Sequence, residues 1–242
     1  MKPKNYPDVC LLGGRVVGVD LTSCEFISQL ISDAKKNLEE NKLDEANEKY
    51  SKVSQAIFHL QRLGSAKSRY GLSRLHAEIY YSMGLVCDLQ SRWEAAMGHF
   101  KDSLAVYKKC RDEASVVTGD ESSMRLPIVV RMIEISTQAA EVQMKRKRYQ
   151  GAQLLLNAAL ETLNSNFPRN LVQKESVLQM LKKRIKDNLA EANSRKEESN
   201  REKTRELEGE AILSYMNNEE DDHGTANVCV SPWAALCASS EK

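Results

Sequence analysis

Three segments of the chain carry one four-position pattern: a small residue, an alanine twelve positions on, a large apolar residue four further, and a small or β-branched residue three beyond that. The copies are Ala34, Ala46, Tyr50 and Val53; Gly84, Ala96, Phe100 and Ser103; and Ala140, Ala152, Leu156 and Ala159. The last three positions of each sit in the segments LDEANEKYSKV, WEAAMGHFKDSL and YQGAQLLLNAAL. Steps of three and four keep side chains on one helix face, and two helices approach closely only where the side chains at their crossing are small. A small residue on one helix, facing an alanine and a bulky filler on the next, is what a tight helix hairpin requires. Three copies in register predict an all-α stack of hairpins.

The pattern resembles the tetratricopeptide repeat (TPR) family over roughly residues 24–165, with the glycine or alanine of helix A and the A-x-x-x-F-x-x-A signature of helix B. The resemblance implies a helix-hairpin solenoid whose inner face, lined by helix A, binds an extended peptide or a partner helix. Ala34 to Gly84 is 50 positions and Gly84 to Ala140 is 56, against about 34 for the family's common repeat. That length is similar to the branch containing kinesin light chain and the spindle-orientation adaptors, where a Gly-Asp pair such as Gly119-Asp120 precedes the next hairpin. Vesicle-fusion attachment proteins and proteasome-lid subunits also use long hairpins, so the branch stays open.

Local signals place the elements. Residues 1–21, with two prolines, three glycines and no helical period, read as a flexible leader. Thr22 and Glu25 form a capping box ahead of a stripe at Phe26, Ile27, Leu30, Ile31, Ala34 and Leu38. Its partner helix is expected over Leu43 to Leu63, stopped by Gly64. The second hairpin is expected over 69–115 with its turn at 90–92, and the third over 124–163 with its turn at 146–148, separated by the loops LGSAKS and VVTGDESS. Pro168 should end the third hairpin. Leu171, Val172, Leu178, Leu181, Ile185, Leu189 and Ala192 then mark a capping helix that closes a TPR-like domain over residues 22–192. Residues 193–216 are expected to be a charged helical extension without an apolar heptad, and residues 217–242 a disordered tail.

Composition excludes several functions. The formal charge is +1, which argues against nucleic acid as a ligand. The six cysteines form no C-x-x-C pair, and no apolar run is long enough to span a membrane, so the expected setting is the cytosol or nucleus with reduced thiols. His59, His76, His99 and His223 share no i,i+4 spacing, and no H-E-x-x-H, P-loop or G-x-S-x-G is present. No metal, cofactor or catalytic group is therefore expected. The run Lys145, Arg146, Lys147, Arg148 reads as the turn of the third hairpin, with its lysines complementing a helix C-terminus.

The resemblance transfers the binding face to helix A positions. Ser28, Ile31, Ser32, Lys35 and Glu39 lie on the first such helix, Glu78, Tyr81, Ser82, Leu85 and Asp88 on the second, and Glu134, Thr137, Gln138, Glu141 and Lys145 on the third. Chaperone-binding members grip a terminal carboxylate with Lys and Asn, then Asn, then Lys and Arg. Ile31 and Lys35, Ser82, and Glu134 and Gln138 stand there instead, so no chaperone tail is expected. Because Glu78, Asp88, Glu134 and Glu141 outnumber Lys35 and Lys145, the groove is expected to be acidic and its ligand a basic peptide or helix, with Tyr81 and Leu85 as apolar anchors. The expected function is a non-catalytic adaptor or scaffold subunit. The alternative is a trafficking or cytoskeletal component whose basic helices meet anionic surfaces.

Overall fold

In a computed structural model the turns already show the repeat. The model describes residues 21–63, 66–118, 121–168, 171–172 and 175–219. Among these it contains no strand, and its helices are α1 (Leu21–Glu39), α2 (Leu43–Leu63), α3 (Ala66–Leu89), α4 (Trp93–Thr118), α5 (Glu121–Lys145), α6 (Tyr149–Asn166) and α7 (Ser176–Glu219). Each hairpin turns on a residue seven positions after its small residue, held in the left-handed region: Asn41 at φ 59°, Ser91 at 59° and Lys147 at 57°. The N–H of that residue donates to the carbonyl three back, and the next N–H donates to the carbonyl five back. For the first turn these are Asn41 to Leu38 at 3.1 Å and Lys42 to Asn37 at 2.7 Å. The second has Ser91 to Asp88 at 3.0 Å and Arg92 to Cys87 at 2.8 Å, and the third Lys147 to Met144 and Arg148 to Gln143, both at 2.9 Å. This pair of hydrogen bonds is the Schellman stop, which usually employs glycine.

All four pattern positions are buried in every copy. Ala34, Ala46, Val53, Ala96, Phe100, Ser103, Ala140, Ala152 and Leu156 are fully shielded, and Tyr50 and Ala159 nearly so. Gly84 is also buried, and a Cβ built on it would stand 2.5 Å from the Phe100 ring, so the second copy permits no side chain there. At the fourth position the hydroxyl of Ser103 donates to the Ala77 carbonyl at 2.7 Å, which lets a polar residue replace Val53 or Ala159 without an orphan group.

Three core clusters follow, each built from one hairpin and the helix after it. α3 serves two of them. Leu72, Ile79, Met83 and Val86 pack toward α1 and α2, while Tyr70, Ala77, Tyr81 and Leu85 pack toward α4 and α5. α5 is shared in the same way, and the terminal helix completes the third cluster through Leu178, Leu181, Ile185 and Ala192. The fold is an all-α helix-hairpin solenoid closed by a helix, with each element packed on its sequence neighbours. The turns interlock too: Gln90 donates to Asp44 at 2.7 Å, and one repeat on Arg146 bonds Glu94.

Several boundaries differ from expectation. Most of VVTGDESS is helical, because α4 runs on through Thr118 and α5 opens at Glu121. α6 ends at Asn166, just before Pro168, and α7 continues to Glu219, three residues past the expected end of the extension. The leader up to residue 20, the Gly64 cap, Gly119-Asp120 and the tail from residue 220 lie outside the described residues. The chain divides into two units, Met1–Lys196 and Glu197–Lys242. In the second, residues 200–208 of α7 are exposed throughout.

Two predictions follow from these packing rules. Gly84→Ala gains about 1 kcal/mol of helix propensity but drives a methyl into a ring with no room to move, for an expected net loss of about 1–3 kcal/mol in urea denaturation. Phe100→Leu should cost less in that background than in the native chain, because the third copy pairs Ala140 with Leu156. Conversely, Lys147→Gly should raise stability by about 0.5–1 kcal/mol, since relief of a left-handed side chain exceeds the entropy glycine loses on folding. An unchanged or lowered urea midpoint would contradict this.

Candidate interaction face

α3 and α5, the first helices of the second and third hairpins, are joined to each other and to α7 by charge pairs that span sequence separations of more than forty residues. At the centre, the guanidinium of Arg131 on α5 grips both oxygens of Glu78 on α3, with Nε and Nη2 each at 2.9 Å. Its Nη1 donates to Glu134, one turn along α5, at 2.7 Å. The hydroxyl of Tyr107, from α4, donates to the same Glu78 carboxylate, and the guanidinium lies 5.1 Å from the centroid of the Tyr81 ring. The three charged side chains are 13–23% exposed, so the fork of bonds operates where water screens little. Burial alone would favour a neutral guanidine, but Glu78 overrides it and keeps Arg131 charged. Burial raises both tyrosines. Tyr81 is pushed up to about 12, and Tyr107 is raised further still because Glu78 adds its own repulsion to a phenolate.

Two further links extend the row. Lys145, at the end of α5, donates to both oxygens of Asp88 on α3 at 2.6 Å. Arg184 of α7 donates to Glu141 at 2.9 Å and to Gln138 at 2.8 Å, and Asn188 donates to Glu141 at 2.9 Å. α3, α5 and the first part of α7 thus present one continuous polar seam.

This geometry corrects the expected acidic lining. Glu78 and Glu134 share Arg131, Asp88 is neutralised by Lys145, and Glu141 by Arg184, so four carboxylates meet three cations. The expected anchors Tyr81 and Leu85 are also absent from the surface, as are the expected lining residues Ser82 and Asp88, all 5–9% exposed. Tyr81 and Leu85 belong to the core shared with α4 and α5, and Ser82 donates to the Glu78 carbonyl at 3.0 Å. The physical reason is that α3 lies between two hairpins, so its face is covered from both sides. Glu78, Glu134, Gln138 and Glu141 stay partly exposed, as does Lys35 on α1, which is not among the paired residues. Ser28, Ser32 and Leu89 are exposed on this row.

The residues missed in sequence are two cations, Arg131 and Arg184. Arg131 stands three positions before Glu134, a spacing visible on paper, whereas its 53-residue link to Glu78 has no local signal. Arg184 reads as the wet side of a capping helix until α7 is set beside α5. In the run of basic residues at the third turn, Lys145 and Arg146 bond Asp88 and Glu94, while Lys147 is the left-handed residue and Arg148 the N-cap of α6. Cys87 and Cys110 are buried free thiols raised by that burial, Cys110 to about 11, and are therefore unreactive at neutral pH. Among the described residues no three His, Cys, Asp or Glu side chains converge as a metal site, and no helix is long and apolar enough to cross a membrane.

No family model and no curated relative matches the chain. Among solved structures, the crystal structure of BtubC (BKLC) from P. vanneervenii is similar at a TM-score of 0.41 and 15% sequence identity, covering 85% of this chain and 68% of that one.

The seam makes a clear stability prediction. Arg131→Ala leaves Glu78 and Glu134 without their cation in a poorly hydrated site and should cost about 3–5 kcal/mol. Glu78→Gln, which still accepts from Tyr107 and Arg131, should cost about 1–2 kcal/mol. Equal urea midpoints for the two variants would show that the fork contributes no more than its packing.

Proposed function

We propose that the chain is a non-catalytic protein-interaction adaptor or scaffold subunit of the TPR-like, long-repeat kind, and that the shared face of α1, α3, α5 and α7 receives a peptide or helix of its partner. The observation that carries this reading is the seam itself. A face assembled from three helices and locked by Arg131 and Arg184 exists only when the hairpins are stacked, and it presents polar groups whose positions are fixed before a ligand arrives. Such pre-organisation lowers the ordering cost of binding. Because Lys and Arg already serve most of the carboxylates, the ligand is recognised by the remaining acceptors on Glu134, Gln138 and Glu141 together with exposed apolar atoms of Leu89, and not by a strongly acidic field. A cytoplasmic setting suits buried, unpaired Cys87 and Cys110.

Binding of anionic surfaces through the terminal helix is the weaker reading. Residues 193–210 carry five basic side chains, Arg195, Lys196, Arg201, Lys203 and Arg205, against six glutamates, Glu197, Glu198, Glu202, Glu206, Glu208 and Glu210. A segment of net charge −1 attracts phosphate poorly.

Two charge variants separate the faces. Ser32→Arg with Leu89→Arg alters exposed positions of the proposed face, whereas Lys101→Glu with Lys108→Glu alters exposed positions of α4. Cross-linking mass spectrometry on the full chain in lysate, with folding verified by circular dichroism, should show partners lost in the first variant and retained in the second. The reverse pattern would move the binding surface to the second helices and sink the reading.

A further inference from the structure

His76 on α3 is 7% exposed, and its Nε2 stands 2.8 Å from the hydroxyl of Ser54 on α2. One turn along α3, the Tyr80 ring stacks on the imidazole with centroids 4.4 Å apart and planes inclined by 22°. His99 of α4 lies 6.4 Å from Tyr80 at the same inclination, and its Nδ1 is buried without a hydrogen-bond partner among the described residues. A row of three rings therefore ties the second helix of the first hairpin to both helices of the second.

Few charged groups act on this row. Asp102 of α4, itself exposed, attracts a proton to both imidazoles, and Arg92, in the turn before α4, opposes one on His99. α2 contributes the neutral Ser54 and α3 the neutral Tyr80. Protonation would place two charges beside one ring without a carboxylate in contact, and would give His99 a buried N–H with no acceptor. Attraction between an imidazolium and the face of Tyr80 offsets only part of that. Burial is the largest influence on both histidines and lowers their proton affinity, ahead of the opposing pull of Asp102.

We propose that the row His76–Tyr80–His99 is a proton-operated latch between the first and second hairpins, closed while both imidazoles are neutral and released when acidification charges them. The sign is fixed by burial. Both groups bind a proton less readily in the folded chain than in the unfolded one. The stabilisation is therefore complete above the ordinary histidine value of about 6.5 and declines as the pH falls below it. Release would take α1, with Ser28, Ser32 and Lys35, out of line with α3 and so remodel the proposed binding face.

Hydrogen–deuterium exchange of the full chain at pH 7.5 and 5.5, corrected for intrinsic exchange rates, tests the latch. Peptides from α2 and the first half of α3 should lose about tenfold or more protection at pH 5.5 relative to α5 and α6, which contain no histidine. His76→Gln with His99→Gln should abolish that difference, and His59→Gln, at an exposed site on α2, should preserve it. A uniform loss across all hairpins, or a difference that survives the double substitution, would overturn the proposal. Should the double variant fail to fold, imidazole titration of the native chain by NMR decides. Midpoints below 6.5 for His76 and His99, tracked by the α2 amides, support the latch, and midpoints at or above that value refute it.

Discussion

The close crossing of the two helices in each hairpin is the constraint on which the rest depends. Where Gly84 faces Phe100 there is no space for one further carbon, and the equivalent crossings at Ala34 and Ala140 are fully shielded. A crossing this tight fixes the distance between helix axes, and ridges and grooves then leave little freedom in angle. The three left-handed turns fix the register in which the helices meet, because each stops helix A at the same distance from its small residue. Crossing and turn together make every hairpin the same rigid unit, so stacking copies is the only operation left to build the chain.

Stacking explains why the central helices carry charge pairs at low exposure. α3 and α5 are covered on two sides, which leaves each a narrow edge, and long-range carboxylates and cations meet there. A half-buried carboxylate is costly without a partner, and Arg131 donates three hydrogen bonds to Glu78 and Glu134 from one planar group. The pairs act as a register device between repeats as much as a source of stability. A hairpin slipped by one turn would part Glu78 from Arg131.

The fold was legible from sequence because its determinants are local and periodic. The small-residue spacing, the stripe ending at Ala192 and the three turns all appear within stretches shorter than thirty residues, and each hairpin coincides with its pattern. The face was much less legible. Ion pairs between α3, α5 and α7 join residues 43 to 57 positions apart, and burial of Tyr81 and Leu85 depends on the hairpin on either side. Counting carboxylates along one helix overstates the acidity of a surface whenever the neighbouring helix supplies the cations. The leader, the Gly64 cap and the tail fall outside what the structure describes.

The unequal repeat lengths carry one further consequence. The second interval exceeds the first by six positions, and all six enter helices: α4 has 26 residues against 21 in α2, and Gly84 lies 18 positions after the start of α3 where Ala140 lies 19 after the start of α5. The turn end is unchanged, since the left-handed residue follows the small residue by seven positions every time. Extra length is thus confined to the end of the hairpin away from the turn, where five residues add about 7.5 Å of helix. The solenoid therefore has a strict edge, bearing Asn41, Ser91 and Lys147 with the Gln90–Asp44 and Arg146–Glu94 links, and a permissive edge where helix ends can lengthen without disturbing a crossing. The Asp88–Lys145 pair lies within one turn of the strict edge, so the end of the seam it forms is held by the part of the fold that tolerates least variation.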